Sequence, residues 1–171
     1  FIGSEGTLGV ITAATLRLHE KPRAYGTALL SVPALGDALS LLNRLKAATG
    51  GAVETFEYMP RRYFEMAAEH LPDVTLPLSP APEVGILLEV GATAPRDAEP
   101  ESLPKVRDAV RGRAPIVALL ENILAEEMEA GHVLDAAIAQ NEAQRANLWK
   151  LRESALELTL AGGTLINTDI S

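Results

Sequence analysis

The sequence contains no cysteine among its 171 residues. This absence excludes disulfide frameworks, thiolate zinc sites and cysteine nucleophiles within the chain. It is also typical of proteins in a reducing compartment, so we expect a cytoplasmic location. A continuous apolar run of about 18 residues is missing as well, and we therefore predict no transmembrane segment.

Basic and aromatic residues are few. The chain has 15 lysines and arginines against 23 acidic residues, which gives a net charge of −8 and an isoelectric point near 4.9. Nucleic-acid binding depends on basic patches, so we expect no nucleic-acid partner. Aromatic residues make up only 4% of the sequence, but hydrophobic residues reach 47%. That content is enough to bury a core and excludes global disorder.

Apolar periodicity predicts a mixture of strands and helices. The alternation in residues 10–19 predicts a strand, and the polar segment 20–23, which contains Pro22, predicts a domain boundary. Residues 1–22 would then end one domain, and residues 23–171 would form a second. In this second domain we expect strands at 27–32, 52–59, 84–90 and 132–139, and helices at 35–45, 61–70, 116–129 and 141–160, followed by a last strand after Gly163.

The order of these elements predicts a fold class. Between Tyr25 and Ala139 the main elements follow a β-α-β-β-α-β order, which is the plan of a ferredoxin-like fold. We therefore predict an α+β protein with a ferredoxin-like antiparallel sheet, preceded by the terminal strand of another domain.

A glycine-rich turn, Gly3-Ser4-Glu5-Gly6-Thr7-Leu8-Gly9, opens the chain. Glycines permit positive φ and close approach of a ligand, and clustered backbone N–H groups can bind an anion such as phosphate. The spacing is neither that of a Walker loop nor that of a Rossmann fingerprint. From spacing alone, a purely structural turn is the favoured interpretation.

The segment Phe1 to Thr12 closely resembles the end of the FAD-binding domain in flavoproteins of the vanillyl-alcohol-oxidase-like superfamily. The similarity is to the branch that holds D-lactate, glycolate and D-2-hydroxyglutarate dehydrogenases. The resemblance implies FAD as cofactor and implies that the turn lies against it. The candidate FAD-binding residues are Gly3, Ser4, Glu5, Gly6, Gly9 and Ile11.

A second motif, Trp149-Lys150-Leu151-Arg152-Glu153, lies in the predicted helix 141–160. Periodicity places Leu148, Leu151 and Ala155 toward the core and predicts a solvated charged face that includes Arg145 and Arg152. A surface ion pair is the ordinary interpretation of such an arginine. The segment also resembles a Trp-x-x-Arg-Glu helix of the same family, which implies that Arg152 holds the carboxylate of the substrate.

The last residues, Thr164 to Ser171, resemble a family strand that ends in Asp-(Val/Ile)-Ser. In relatives that act on dicarboxylic hydroxy acids, a lysine often occupies the position of Asn167, and we therefore predict Asn167 as a second substrate-binding residue. A polar residue is also common in the family at the position of Leu156. These two departures favour a monocarboxylic or more apolar hydroxy acid.

No metal site is predicted within the chain, because its three histidines are far apart and lack ligand spacing. The family's histidine-rich segment, which carries the metal site and a catalytic histidine, is absent from this sequence. The resemblance thus implies an internal piece of a longer enzyme with no catalytic residue of its own, whose divalent metal would bind to residues outside this chain.

The resemblance implies oxidation of a D-2-hydroxy acid to the 2-keto acid by an FAD-dependent dehydrogenase. The expected partners are a small-molecule hydroxy acid and an unidentified electron acceptor, and a homodimer stays open. Two alternatives remain at this stage. An alkyl-dihydroxyacetonephosphate synthase shares a similar glycine-rich turn, and a ferredoxin-like regulatory domain without enzymatic activity would use that turn only as structure.

Overall fold

A four-stranded antiparallel sheet forms the centre of the part of the chain that the computed structural model describes, residues 1–98 and 114–161. The strands are β1 (Ala24–Val32), β2 (Val53–Pro60), β3 (Val84–Ala92) and β4 (Asp135–Ile138). Their order across the sheet is β2-β3-β1-β4. This is the ferredoxin-like order, so the predicted α+β class and its strand arrangement are confirmed.

Six helices surround the sheet in the described residues. They are α1 (Leu35–Ala48), α2 (Arg61–His70), α3 (Pro95–Ala98), α4 (Pro115–Glu129), α5 (Glu142–Glu153) and α6 (Ala155–Ala161). Among these helices, none is long and apolar enough to cross a membrane.

The helices form one layer on each side of the sheet. Leu41 of α1 and Leu120 of α4 pack in one apolar cluster with alternate residues of the strands, such as Leu30 and Leu88. Phe64 of α2 and Leu151 of α5 belong to a second cluster with the intervening strand residues, such as Leu29 and Leu87. Because both faces are covered, β1 and β3 are buried along most of their length and show little apolar–polar alternation.

Helix α2 lies very close to β3. A methyl group placed on Gly85 of β3 would be 2.4 Å from two ring carbons of Phe64, which is itself buried. Such a distance is far below van der Waals contact, so only glycine lets the helix approach the strand to this depth. This contact holds α2 on the face of the sheet that also carries α5.

The strand predicted at Val10–His19 is wrong, since the structure assigns no strand to these residues and exposes them. A strand requires hydrogen bonds to a neighbour, and no described strand pairs with this segment. Two other predictions need smaller corrections. Strand β4 covers only Asp135–Ile138, and the predicted helix 141–160 is divided at Ser154 into α5 and α6. The predicted final strand lies outside the described residues.

The break at Ser154 has a local cause. Its hydroxyl donates to the carbonyl oxygen of Lys150 at 2.9 Å, one turn earlier. A serine hydroxyl that bonds back in this way competes with the regular backbone ladder and bends a helix. The break leaves Arg152 in the last turn of α5.

Candidate functional site

Helix α5 carries three side chains with polar groups on one side, Arg145, Trp149 and Arg152. Their spacing of four and then three residues places them along a single face of an α-helix. The start of the helix is stabilised by Asn141, whose side chain accepts a hydrogen bond from the Gln144 backbone N–H at 2.9 Å. This arrangement is an N-cap, which satisfies an otherwise unpaired donor of the first turn.

The first of these side chains, Arg145, binds a buried carboxylate. Its Nε donates to Oε2 of Glu89 at 2.8 Å, and its Nη2 donates to Oε1 of the same residue at 2.9 Å. The Thr27 hydroxyl and the Trp149 indole N–H also donate to Oε2, at 2.6 and 2.9 Å. Glu89 lies on β3 with 2% of its surface exposed. Four donors from β1 and α5 therefore satisfy one buried acid.

These hydrogen bonds decide the ionisation of Glu89. Burial by itself raises the pKa of this carboxyl, but the hydrogen bonds from Arg145, Thr27 and Trp149, together with the Arg145 charge, outweigh it and leave the pKa below its ordinary value. The hydrogen bonding between Arg145 itself and Glu89 is the main reason why the pKa of Arg145 is raised. At neutral pH Glu89 and Arg145 are therefore both charged, and this pair anchors α5 on the sheet.

Arg145 has few donors left for any ligand. Its Nη1 donates to Glu142 at 3.1 Å, and its guanidinium carbon lies 4.3 Å from the centre of the Tyr25 ring, a cation–π contact. It borders a cavity of about 310 Å³, which Tyr25 and Glu142 also line. The sequence pattern predicted Arg145 on a solvated face, and that prediction is wrong because the side chain turns inward to Glu89.

Arg152 is in a different environment. Its Nε lies 3.4 Å from Oε2 of Glu57 on β2, and 42% of each of these side chains is exposed. The guanidinium is thus accessible and has one weakly held acidic neighbour.

The backbone beneath Arg152 is held by Tyr63 of α2. The Tyr63 hydroxyl donates to the carbonyl oxygen of Leu151 at 2.6 Å and lies 3.4 Å from that of Arg152. Burial raises the pKa of Tyr63, and the nearby positive charge of Arg152 acts in the opposite direction. The phenol therefore stays a neutral donor that fixes the end of α5.

The glycine-rich turn forms a separate, exposed structure. Gly3, Gly6 and Gly9 have positive φ angles, and Glu5 adopts a φ of 47°, in the left-handed region that non-glycine residues seldom use. Two backbone hydrogen bonds close it, from Ser4 N–H to the oxygen of Phe1 and from Thr7 N–H to that of Ser4. The contacts found in the described residues do not bring this turn to Arg152.

The other predicted site residue, Asn167, lies outside the described residues. Among those that are described, no group of three or more histidine, cysteine or acidic side chains could hold a metal. The substrate-binding role of Arg152 and the cofactor-binding role of the turn stay predictions.

Sequence analysis missed Glu89, although a signal was present. It is the one charged residue in the strand Val84–Ala92, where every other residue is apolar or glycine. An acid inside such a strand must find donors when it is buried. Its partners Arg145 and Trp149 lie 56 and 60 residues further along the chain, so the pairing itself could not be read from local spacing.

Comparison with known proteins gives a consistent result. A family model described as "FAD linked oxidases, C-terminal domain" matches residues 21–171. The D-2-hydroxyglutarate dehydrogenase of Xanthomonas citri pv. viticola is 32% identical over 170 residues, covering 99% of this chain and 31% of that protein. The mitochondrial enzyme of that name from Rattus norvegicus is 29% identical over 171 residues, with 100% and 28% covered.

A probable D-2-hydroxyglutarate dehydrogenase from Oryza sativa subsp. indica is 30% identical over 172 residues, which cover all of this chain and 28% of that protein. The chain thus spans less than a third of the length of the curated relatives it matches. The matched regions cover 99–100% of this chain.

Proposed function

The chain belongs to the family of FAD-linked oxidase C-terminal domains, and on that premise we propose that it contributes to the FAD-dependent oxidation of a D-2-hydroxy acid to the 2-keto acid. In this proposal Arg152 holds the carboxylate of the substrate. The names of the relatives, D-2-hydroxyglutarate dehydrogenases, support the reaction class.

The observation that carries the proposal is the contrast between the two arginines of α5. Arg145 is committed to Glu89 and Glu142, whereas Arg152 has an exposed guanidinium with one acidic neighbour at 3.4 Å. A guanidinium can grip a carboxylate through two parallel hydrogen bonds, and its charge is permanent. Arg152 is therefore the arginine of this helix that can receive an anionic substrate.

The glycine-rich turn fits a role in holding FAD. Its two backbone hydrogen bonds use the N–H groups of Ser4 and Thr7, and the described backbone contacts provide no protein acceptor for the N–H groups of Gly6 or Leu8. Nothing lies within 4 Å of the place where a side chain of Gly6 would begin. An exposed turn with positive φ angles and unused N–H donors is suited to phosphate or ring oxygens of a bound cofactor.

FAD, when bound, supplies the acceptor for the hydride that leaves the substrate. The part of this chain is electrostatic and geometric. Arg152 neutralises the carboxylate and sets the orientation of the carbon that is oxidised, which lowers the entropic cost of reaching the reactive geometry. Tyr63 and Glu89 hold the helix from which Arg152 projects. We assign no base within the described residues.

The proposal is tested by Arg152→Lys in the intact protein. Lysine keeps the charge but cannot make the two parallel hydrogen bonds, so we expect kcat/KM for the best hydroxy acid to fall about ten- to hundredfold. The matched control is Arg61→Lys, since Arg61 is similarly exposed and forms one ion pair, with Glu83. An unchanged kcat/KM in the Arg152 variant would overturn the anchor role.

The choice of substrate requires a separate measurement. Asn167 and Leu156 favour a monocarboxylic acid, while the relatives are named for a dicarboxylic one. D-lactate, glycolate and D-2-hydroxyglutarate are added separately to the intact protein, and the rate of flavin reduction is measured from the loss of visible absorbance. The acid that reduces the flavin fastest at equal concentration identifies the preferred substrate. An intact, folded protein without flavin absorbance would contradict the whole proposal. The cytoplasmic location, the electron acceptor and a homodimer stay predictions.

A further inference from the structure

We propose that Glu57 is a resident counter-ion of Arg152, which an incoming substrate carboxylate displaces, and that Glu57 thereby limits the affinity of the site for anions. The inference rests on the proposed function, because it assumes that Arg152 receives the substrate. It goes beyond that function by assigning a competitive role to an acid on a different element.

The position of Glu57 follows from the register of the sheet. Glu57 on β2 pairs with Leu87 on β3, and cross-strand partners lie on the same face. Leu87 belongs to the apolar cluster beneath α2 and α5, together with Leu151. Glu57 therefore projects on the side where Arg152 ends α5.

The contact between Glu57 and Arg152 is weak enough to be displaced. The two charged groups are 3.4 Å apart and each side chain is 42% exposed, so solvent screens their attraction. The buried Glu89–Arg145 pair differs in every respect, with two hydrogen bonds below 3.0 Å and side chains that are 3% and 24% exposed.

The ion pair is also not required to hold the helix. Glu89 fixes α5 through Arg145 and Trp149, and Tyr63 fixes its C-terminal turn through the Leu151 carbonyl. Since these contacts position α5 independently, the acid beside Arg152 is free to act on ligand binding. A carboxylate already next to the guanidinium competes with a second carboxylate for the same donors and repels it.

The experiment measures binding of oxalate, an unreactive dicarboxylate, to the intact FAD-loaded protein by isothermal titration calorimetry. Glu57→Gln removes the competing charge and keeps the size of the side chain. We expect the Kd for oxalate to fall about two- to fivefold, the range that exposed ion pairs contribute. Glu57→Ala, a second variant without any polar group at this position, should show a fall in the same direction.

Glu126→Gln is the control for general charge effects. Glu126 is an exposed acid paired with Arg44, and it lies on α4, on the opposite face of the sheet. A fall in Kd that is confined to the Glu57 variants supports the inference, whereas an equal fall in all three variants overturns it.

Failure of the inference and failure of the proposed function give different results. If Arg152→Lys weakens oxalate binding but Glu57→Gln leaves the Kd unchanged or raises it, Glu57 orients the arginine instead of competing, and only the inference is overturned. If Arg152→Lys leaves oxalate binding and turnover unchanged, the anchor role itself is wrong, and the inference fails with it.

Discussion

At the scale of single residues, Glu89 is a charged acid with only 2% of its surface exposed. Moving an ion out of water is costly unless its partners replace the lost hydration. Four donors from three residues do so here, namely Thr27, Arg145 and Trp149. The charged pair is therefore tolerated in the interior, but each partner depends on the others.

We predict that Glu89→Gln lowers the free energy of unfolding by about 3–5 kcal/mol, because it leaves the Arg145 charge partly buried without its acid. The double variant Glu89→Gln/Arg145→Gln should recover most of this loss, since no uncompensated charge is left. Denaturant titration of the two single variants and the double variant measures the coupling. Additive losses would contradict the dependence of one side chain on the other.

The lowered pKa of Glu89 predicts a dependence of stability on pH. Between the lowered pKa of the folded state and the ordinary value of 4.5, the unfolded chain binds a proton that the folded protein does not. The contribution of ionised Glu89 to the free energy of unfolding is thus fully present above pH 4.5 and is lost as the pH falls through the folded-state pKa. Denaturant midpoints measured from pH 6 to pH 3 should fall less steeply in Glu89→Gln/Arg145→Gln than in the unaltered protein.

Predictions of exposure for single residues were correct only where the relevant contact is local in the sequence. Arg152 was selected from a motif within one helix, and the structure gives it an accessible guanidinium. Arg145 was placed in solvent because helical periodicity shows only which residues share a face. It cannot show that a strand 56 residues away offers a buried acid.

At the scale of secondary-structure elements, Gly85 determines how closely α2 packs on β3. We predict that Gly85→Ala destabilises the protein by about 1–3 kcal/mol, because its methyl group would overlap the buried Phe64 ring. The matched control is Gly36→Ala in α1, where nothing lies within 4 Å of the added carbon. This control should be neutral or stabilising by up to ~1 kcal/mol. Equal destabilisation in the two variants would show that close packing is not the cause.

The sequence predicted most elements because their apolar periodicity is strong. The cores of β1, β2 and β3 and the helices α1, α2 and α4 lie where the pattern placed them. Two of the differences arise where short polar interactions compete with the pattern. Ser154 divides one predicted helix, and β4 starts only at Asp135, whose side chain accepts a hydrogen bond from the backbone N–H of Ala136.

At the scale of the whole molecule, the described residues form a three-layer core and an N-terminal segment that packs little against it. Leu16 and Leu18 are 78% and 90% exposed. Pro22, by contrast, lies beside Gly91 of β3. The predicted boundary after residue 22 stays a prediction, since the described contacts do not define a separate domain.

Deletion of residues 1–19 tests this division. Because these side chains bury little surface in the described structure, we expect the free energy of unfolding of the 171-residue chain to change by less than about 0.5 kcal/mol. Denaturant titration of the shortened and complete chains measures the difference. A loss above about 2 kcal/mol would mean that the segment belongs to the folded core.

Trp149 is the only tryptophan in the chain, and its indole N–H donates to the buried Glu89. Its fluorescence within this chain therefore originates from one place, the contact between α5 and the sheet. Emission at a short wavelength would report a seated helix, and a red shift would report water entering that contact. Trp149 emission thus follows, in real time, whether the helix that carries Arg152 is packed on the sheet.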